Sequence, residues 1–175
     1  MMRRATKGRG RRPLPPLFIQ RHMSTIVILD NIRSAQNVGA IFRTCDGAGV
    51  TKIYLTGYTP SPTDRFGRRQ PAIAKTSLGA TESVAWQSVT DNEVLEVVAG
   101  YQAAGYVLVA IEQSKEAISL YDFVAPKDVV YIFGNEIVGV ASALMGTADH
   151  IVEIPMQGKK ESLNVSVTAG IILFH

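Results

Sequence analysis

Six short apolar runs, separated by segments of helical character, constrain the fold of this chain more than any other feature. The runs occupy residues 25–30, 52–57, 83–87, 106–111, 129–134 and 150–155. They are near-continuous rather than alternating, which is typical of parallel strands covered on both faces. This alternation of strands and helices predicts a single α/β domain with a mostly parallel sheet flanked by helices.

Two of the intervening segments have recognisable helix boundaries. Residues 37–49 begin with Asn37 in the position of an N-cap and end in a glycine stop signal. Residues 90–105 begin with the capping-box pair Thr90 and Glu93 and close at a second glycine. Ligands of parallel sheets bind at the carboxyl ends of the strands, so the loops after residues 111, 134 and 155 are the candidate binding loops.

The basic residues of the chain are concentrated at its N-terminus. Residues 1–23 contain seven of the 18 Lys and Arg residues and none of the 15 acidic residues, which leaves residues 24–175 with a net charge of −4. We interpret residues 1–23 as a disordered basic extension, because they are rich in Arg, Gly and Pro and have no helical or strand period. The folded domain is predicted to span residues 24–175, with Met23 resembling a natural start. Affinity for nucleic acid then has to come from a local patch or from the extension.

Several classes of protein do not fit the sequence. No apolar run approaches the ~20 residues that cross a bilayer. The single cysteine, Cys45, excludes an internal disulfide framework and fits a reducing, cytoplasmic location. No G-x-G-x-x-G follows the first strand, and residues 134–139 have the glycine spacing of a P-loop without its Lys-Ser/Thr. The residues show no metal-ligand spacing, so taken alone they indicate an α/β ligand-binding domain.

Three segments place polar residues inside otherwise apolar surroundings: 30–50, 131–142 and 154–174. Each has an ordinary structural interpretation. Asn37 suits a helix cap, Arg43 suits a solvated helix position, and Glu136 suits an exposed position in a strand-to-helix turn. Each signal alone is therefore weak.

Together and in this order, the segments resemble the three motifs of the SpoU/TrmH family of RNA ribose methyltransferases, within the SPOUT superfamily. The first motif is NVGAIFRT (37–44), the second is FGNEIVG (133–139), and the third is IPM (154–156) followed by SLNVS (162–166). The resemblance covers essentially residues 24–175. The second motif departs from the family pattern at Asn135, where Ser is frequent, and at the pair 137–138, where a smaller residue is often found. Without a separate N-terminal substrate-binding domain, the chain resembles a minimal, catalytic-domain-only member.

The resemblance implies a cofactor, an assembly and a set of site residues. The cofactor is S-adenosyl-L-methionine, held in a bent form by a deep C-terminal trefoil knot, and the assembly is a homodimer. Family cofactor contacts fall on Ile111, Gly134, Ile154, Met156 and Leu163. The catalytic positions of the family fall on Arg43, Asn37, Glu136, Ser162 and Asn164. The family arginine is described as a general base, but a guanidinium is effectively always protonated, so we expect Arg43 to hold a phosphate and stabilise developing alkoxide charge.

The function implied is methyl transfer to a ribose 2′-OH of RNA, with tRNA favoured, its wobble position a candidate, and rRNA an alternative. Contacts to RNA phosphates are expected from basic residues in segment 65–70 and beside the motifs: Arg33, Arg65, Arg68, Arg69, Lys159 and Lys160. A catalytically inactive, knotted RNA-binding dimer is a different interpretation of the same motifs. A flavodoxin-like small-molecule binder would follow from the α/β alternation alone. We expect no membrane or metal partner.

The C-terminal segment contains two conflicting periods. Residues 163–168 alternate apolar and polar residues, as a half-buried strand does. The family pattern instead begins the last helix at Ser162, and we adopt the helix. Its packing face is then expected to consist of five residues at helical spacing: Leu163, Val167, Gly170, Ile171 and Phe174.

Overall fold

Seven strands form a single sheet in the computed structural model, which describes residues 24–175; the predicted extension 1–23 lies outside the described residues. All six ladders are parallel. The strands are β1 (Ser24–Asp30), β2 (Lys52–Thr56), β3 (Ala85–Val89), β4 (Val107–Ile111), β5 (Ile118–Ser119), β6 (Asp128–Phe133) and β7 (His150–Glu153). Their order in the sheet is β3-β2-β1-β6-β4-β7-β5. The predicted α/β class with a mostly parallel sheet is confirmed.

Within residues 24–175, six helices cover the two faces of the sheet. They are α1 (Ala35–Ala48), α2 (Pro71–Ser77), α3 (Ala80–Ser83), α4 (Asp91–Ala103), α5 (Ser142–Met145) and α6 (Val165–Leu173). Among the described residues, no helix has the length and apolar character to cross a membrane. The capping box of α4 is present as predicted, with Thr90 Oγ1 accepting from the Glu93 amide and the Glu93 carboxylate accepting from the Thr90 amide.

The central strand β1 shows why the apolar runs are continuous. Val27 and Leu29 face a core that also contains residues of α1, α2, α3 and α6. Ile26 and Ile28 face a second core on the other side, with residues of α4 and α5. Because both faces are covered, no position of the strand interior is left for an exposed polar side chain.

The start of α1 differs from the prediction that Asn37 caps it. Ser34 is the N-cap: it has an extended backbone, and its hydroxyl accepts a hydrogen bond from the Asn37 amide at 3.2 Å. Asn37 therefore lies within the first turn of the helix. Its side chain is left available for a contact outside α1, which bears on the candidate site.

The segment between β2 and β4 also differs from the prediction. The strand expected at residues 83–87 runs from 85 to 89, because Ser83 ends α3 and donates its hydroxyl to Asp46 at 2.5 Å. The short helices α2 and α3 had no periodic pattern long enough to predict them. Leu78 and Gly79 break the helical path between them with positive φ angles of 49° and 93°.

The C-terminal segment is helical, so the strand suggested by its alternation is not formed. The helix begins at Val165 rather than Ser162, with Asn164 as the N-cap. The predicted packing face is wrong for contacts within the chain. Val165, Ala169 and Ile172 are buried, whereas Leu163, Val167, Ile171 and Phe174 are exposed by 38%, 49%, 38% and 66%.

Close contact between α1 and α2 depends on Gly39. A Cβ atom at this position would collide with Thr76 Oγ1 and lie 2.6 Å from the Ile73 carbonyl oxygen. The Thr76 hydroxyl also donates to the Gln36 carbonyl at 3.1 Å, which links the two helices. The absence of a side chain at Gly39 thus sets how closely α2 approaches the first motif.

We expect Gly39→Ala to lower the free energy of unfolding by ~1–3 kcal/mol, because overpacking forces backbone shifts. Urea denaturation of the purified protein measures the change. Gly100→Ala is the matched control, since Gly100 lies inside α4 and a Cβ atom added to it would meet no other atom within 4 Å. There we expect a gain of up to ~1 kcal/mol from helix propensity. Equal effects of the two substitutions would contradict the packing role of Gly39.

Candidate active site

The carboxyl ends of β6, β4 and β7 meet at one edge of the sheet and open into a cleft with a volume of about 130 Å³. Four segments line it: 111–113 after β4, 133–136 after β6, 152–156 after β7, and residues 162–168 at the start of α6. Segment 133–136 belongs to the second motif, and segments 152–156 and 162–168 contain the two parts of the third. The position agrees with the expectation that ligands bind beyond the carboxyl ends of parallel strands.

The loop after β6 is held in place by the buried amide of Asn135. Its Nδ2 donates to the Asn31 carbonyl at 2.9 Å and to the Tyr58 hydroxyl at 2.8 Å. Its Oδ1 accepts from the amides of Ile137 and Val138 at 2.8 and 3.0 Å. The side chain is 5% exposed, so four hydrogen bonds compensate its burial. Asn135, which stands where the family pattern often has Ser, therefore fixes the conformation of this loop.

Two carboxylates hold the far end of the same loop. Asp30, at the end of β1, accepts from the Ala141 amide at 2.7 Å. Glu112, directly after β4, accepts from the Val140 amide at 3.1 Å and from the Gln113 amide at 3.0 Å. Burial raises the pKa of the Asp30 carboxyl, while the hydrogen bond from Ala141 opposes that shift.

Glycine is required on both sides of the Asn135–Glu136 pair. A Cβ at Gly134 would clash with the backbone of Gly139 and Val140, and one at Gly139 would clash with the Glu112 carboxylate. Gly139 also has a φ of +74°, which disfavours residues with side chains. The two glycines let the loop fold back on itself so that Glu136 stands at its exposed turn.

Three predicted catalytic residues form a hydrogen-bonded chain across the site. Asn37 Nδ2 donates to Glu136 Oε1 at 2.9 Å, and Asn164 Nδ2 donates to Asn37 Oδ1 at 3.2 Å. The Oδ1 atom of Asn164 caps α6 by accepting from the Ser166 amide at 2.8 Å. Residues from α1, the β6 loop and α6 are thus joined by three adjoining side chains.

The other two predicted catalytic residues, Ser162 and Arg43, are not part of this hydrogen-bonded chain. Ser162 lines the cleft beside Glu136. Arg43 is exposed on α1 and has no hydrogen bond or ion pair to any residue in the part of the chain described, 24–175. It lies six positions after Asn37 in the helix, which corresponds to about 9 Å along the axis and roughly 120° around it. Within one chain, Arg43 is therefore not part of the Asn37–Glu136–Asn164 cluster.

All five predicted cofactor-contacting residues line the cleft: Ile111, Gly134, Ile154, Met156 and Leu163. Sequence reasoning missed Glu112, Gln113 and Thr168, which line it as well. Gln113 donates its side-chain amide to the Glu161 carbonyl and so joins the β4 loop to the third motif. Glu112 could have been found from its position, because it is the first polar residue after a continuous apolar strand.

The predicted RNA-contacting residues are all exposed but lie in three places. Arg33 precedes α1, and Lys159 and Lys160 lie in the loop before α6. Arg65, Arg68 and Arg69 belong to a small hairpin, residues 62–70, whose strands meet at a bridge between Thr63 and Arg69. Two of these arginines have acidic partners: Arg68 pairs with Asp64 at 2.7 Å and Arg69 with Glu82 at 2.6 Å. Both pairs are exposed and can exchange for a phosphate at small cost.

Residues 24–175 contain no cluster of side chains that could bind a metal ion. No group of three or more His, Cys, Asp or Glu side chains lies close enough there to hold an ion. Of the acidic side chains that line the cleft, Glu112 accepts hydrogen bonds from backbone amides and Glu136 accepts one from Asn37.

Comparison with known proteins gives matches over nearly the whole described chain. The model of the SpoU rRNA methylase family matches residues 24–174. A tRNA (guanosine(18)-2′-O)-methyltransferase of Aquifex aeolicus is 34% identical over 89% of this chain and 69% of its own length. A 23S rRNA (guanosine-2′-O-)-methyltransferase of Neisseria meningitidis is 31% identical over 85% of this chain, which spans 56% of that relative. The crystal structure of the SpoU methyltransferase AviRb from Streptomyces viridochromogenes, in complex with AdoMet, superposes with a TM-score of 0.76 at 28% identity, covering 88% of this chain and 57% of that one.

We expect Asn135→Ala to lower the free energy of unfolding by about 1–3 kcal/mol, because two loop amides and the Tyr58 hydroxyl lose a buried partner. Urea denaturation provides the measurement. Asn92→Ala, at an exposed position in the first turn of α4 with no side-chain hydrogen bond to another described residue, is the control and should change stability by less than ~0.5 kcal/mol. A loss at Asn135 no larger than at Asn92 would contradict the role of the amide.

Proposed function

Because the chain belongs to the SpoU rRNA methylase family, we propose that it is an S-adenosyl-L-methionine-dependent methyltransferase acting on a ribose 2′-OH of RNA. The observation that carries the proposal is the convergence of the three motifs: the second and third line the cleft, and Asn37 of the first is hydrogen-bonded beside it to Glu136 and Asn164. The cleft contains the five candidate cofactor residues, and the Asn37–Glu136–Asn164 chain stands at its side. The relatives named above act on ribose oxygens of tRNA and 23S rRNA.

The cleft residues suit the proposed cofactor. Three strand ends offer backbone amides and carbonyls for an adenine edge and an amino acid, and Ile111, Ile154 and Met156 supply apolar walls. Gly134 keeps the floor of the β6 loop free of a side chain. Bound there, S-adenosyl-L-methionine supplies an electrophilic methyl group on a sulfonium centre.

The protein contributes placement and electrostatics to the transfer. The ribose oxygen has to stand in line with the methyl carbon, with water excluded from the reacting atoms. Asn37, Asn164 and Glu136 fix the geometry of the three segments around that point, and Ser162 extends the polar edge into the cleft. The protonated guanidinium of Arg43 holds a substrate phosphate and stabilises the negative charge that develops on the ribose oxygen.

The position of Arg43 supports a working homodimer. Arg43 is exposed on α1, and the neighbouring C-terminal segment has exposed apolar side chains at Val167 and Ile171 of α6 and at Leu163 and Phe174 just outside its ends. A Cβ at Gly47 of α1 would lie 3.6 Å from the Phe174 ring, so the surfaces of α1 and α6 are continuous. Burying this face between two copies removes apolar area from water and gives Arg43 a neighbouring chain to act beside. We also infer the trefoil knot of the family, since the chain returns from β7, next to the edge strand β5, to pack α6 against α1.

The proposed substrate is a cellular RNA. We favour tRNA, with its wobble nucleotide as a candidate and rRNA as the alternative, and a cytoplasmic location, where RNA is available and Cys45 stays reduced. Transfer of labelled methyl from S-adenosyl-L-methionine to total RNA, followed by mapping of the modified nucleotide, tests the activity and names the target. RNA binding without methyl transfer would favour the inactive RNA-binding dimer instead.

We expect Arg43→Ala to lower the methyl-transfer rate by at least about 100-fold, the typical effect of removing a preorganised charge at the reacting oxygen. Cofactor affinity, measured by calorimetry, should stay within twofold of the unmodified protein because Arg43 does not line the cleft. Arg43→Lys is the matched variant: it keeps the charge and loses the forked donor geometry, and we expect it to restore only part of the rate. A parallel loss of cofactor affinity would contradict the assignment.

We expect Ile171→Asp to convert the protein from dimer to monomer at micromolar concentration, because a carboxylate would be buried in an apolar interface. Sedimentation velocity measures the mass. The control is Ala99→Asp, which introduces the same charge at an exposed position of α4, on the opposite face of the sheet from α6, and should leave the mass unchanged. A dimer that survives Ile171→Asp would remove α6 from the interface.

A further inference from the structure

Phe66 is an aromatic side chain presented to solvent at the tip of the 62–70 hairpin. It is 68% exposed, although burying a ring of this size would be favourable. Four aromatic residues within 24–175 are exposed to more than half of their area: Tyr58, Phe66, Tyr121 and Phe174. Only Phe66 among them has a cationic side chain over its ring.

The tip that presents Phe66 is organised by Asp64. One carboxylate oxygen accepts from the amides of Phe66 and Arg68, both at 2.9 Å, and the Asp64 carbonyl accepts from the Gly67 amide at 2.9 Å. Gly67 completes the turn with a φ of +76°. The backbone beneath the ring is therefore fixed by three hydrogen bonds to a single residue, so the ring is displayed in a defined position.

The base of the hairpin is tied to the domain. The Gln70 amide donates to the Pro62 carbonyl at 2.9 Å, and Thr63 bridges to Arg69. Arg69 in turn reaches Glu82 of α3 at 2.6 Å. The hairpin lies on the β2–β3 side of the sheet, whereas the cleft lies at β6, β4 and β7. In one chain, it is thus a surface separate from the cleft.

The ring and the arginines around it favour a polyanion that also carries planar aromatic groups. The guanidinium carbons of Arg65 and Arg68 lie 4.8 and 5.2 Å from the centre of the Phe66 ring. Both arginines are exposed, and Arg65 has no acidic partner in the described part of the chain. A base stacking on phenylalanine is held more strongly than an exposed guanidinium over the same ring, so a base can displace one arginine. The displaced guanidinium is then free for the flanking phosphate.

We propose that Phe66 is a stacking platform for an unpaired base of the RNA substrate, with Arg65 and Arg68 contacting the phosphates on either side of that base. The choice of RNA as the occupant rests on the proposed function. The site anchors the RNA through base stacking and phosphate contacts, neither of which reads a particular base. It therefore contributes affinity for single-stranded loops over duplex RNA without selecting a sequence.

Phe66→Ala tests the stacking. We expect affinity for bulk tRNA and for a single-stranded oligoadenylate carrying 2-aminopurine to fall about 5- to 150-fold, which corresponds to ~1–3 kcal/mol at 1.4 kcal/mol per tenfold. Affinity for a blunt RNA duplex should change less than twofold, and Phe66→Trp should restore binding to the single strand. Tyr121→Ala, which removes a ring exposed by 72% with no cation over it, is the control and should bind RNA as the unmodified protein does.

The salt dependence separates stacking from charge. Phe66→Ala should leave the slope of log affinity against log salt unchanged, whereas the double variant Arg65→Ala/Arg68→Ala should reduce it by about two. Single-strand affinity unaffected by Phe66→Ala, or lost equally in Phe66→Trp, would overturn the proposal and leave the methyltransferase function standing. If wild-type protein transfers no methyl group but Phe66→Ala still weakens single-strand binding, the stacking site stands and the proposed function fails.

Discussion

The buried amide of Asn135 is the interaction on which the candidate site depends. Burying an amide without partners costs ~1–3 kcal/mol, so the four hydrogen bonds of this side chain select one loop conformation over its alternatives. They fix the loop to Asn31 at the end of β1 and to Tyr58 after β2. Glu136 follows immediately, so its position relative to Asn37 is set by a residue whose own side chain has no hydrogen bond to the cluster or to α6 among the described residues. A change at Asn135 would therefore reach the catalytic residues through the backbone.

The strands could be predicted from sequence because a strand that is covered on both faces needs apolar residues at nearly every position. The continuous apolar runs at β1, β4 and β6 have no other stable arrangement in a domain of this size. The same reasoning located the cleft, since parallel strands bring their carboxyl ends together. It could not distinguish Ser34 from Asn37 as the cap of α1, because both residue types cap helices and they stand three positions apart. Tertiary structure decides between them: Asn37 is needed by Glu136 and Asn164.

The hairpin shows what residue type alone leaves undetermined. The cluster of arginines in segment 65–70 indicated a phosphate-binding surface, and the residues are exposed as expected. The sequence does not show that Asp64 and Glu82 pair with two of them, because Glu82 is distant in the chain. These pairs shape the hairpin and lower its free charge at the same time. Phe66 differs from these paired residues, because within residues 24–175 its ring interacts only with the two guanidinium groups.

The two-residue alternation before the C-terminus is explained by where α6 begins. Asn164 uses its side chain as a cap and as a link to Asn37, so the polar residue there serves the helix end and the site. The helix that follows has apolar residues on two sides, with Val165 and Ala169 against the core and Val167 and Ile171 facing outward. Because exposed apolar surface is unfavourable in water, covering the outward side as well as the inner one stabilises such a helix. Its inner side is covered by α1 and the sheet. Covering the outer side with a second copy of the chain would bring that copy's surface within reach of the exposed Arg43. For this reason, the proposed catalysis depends on the proposed dimer.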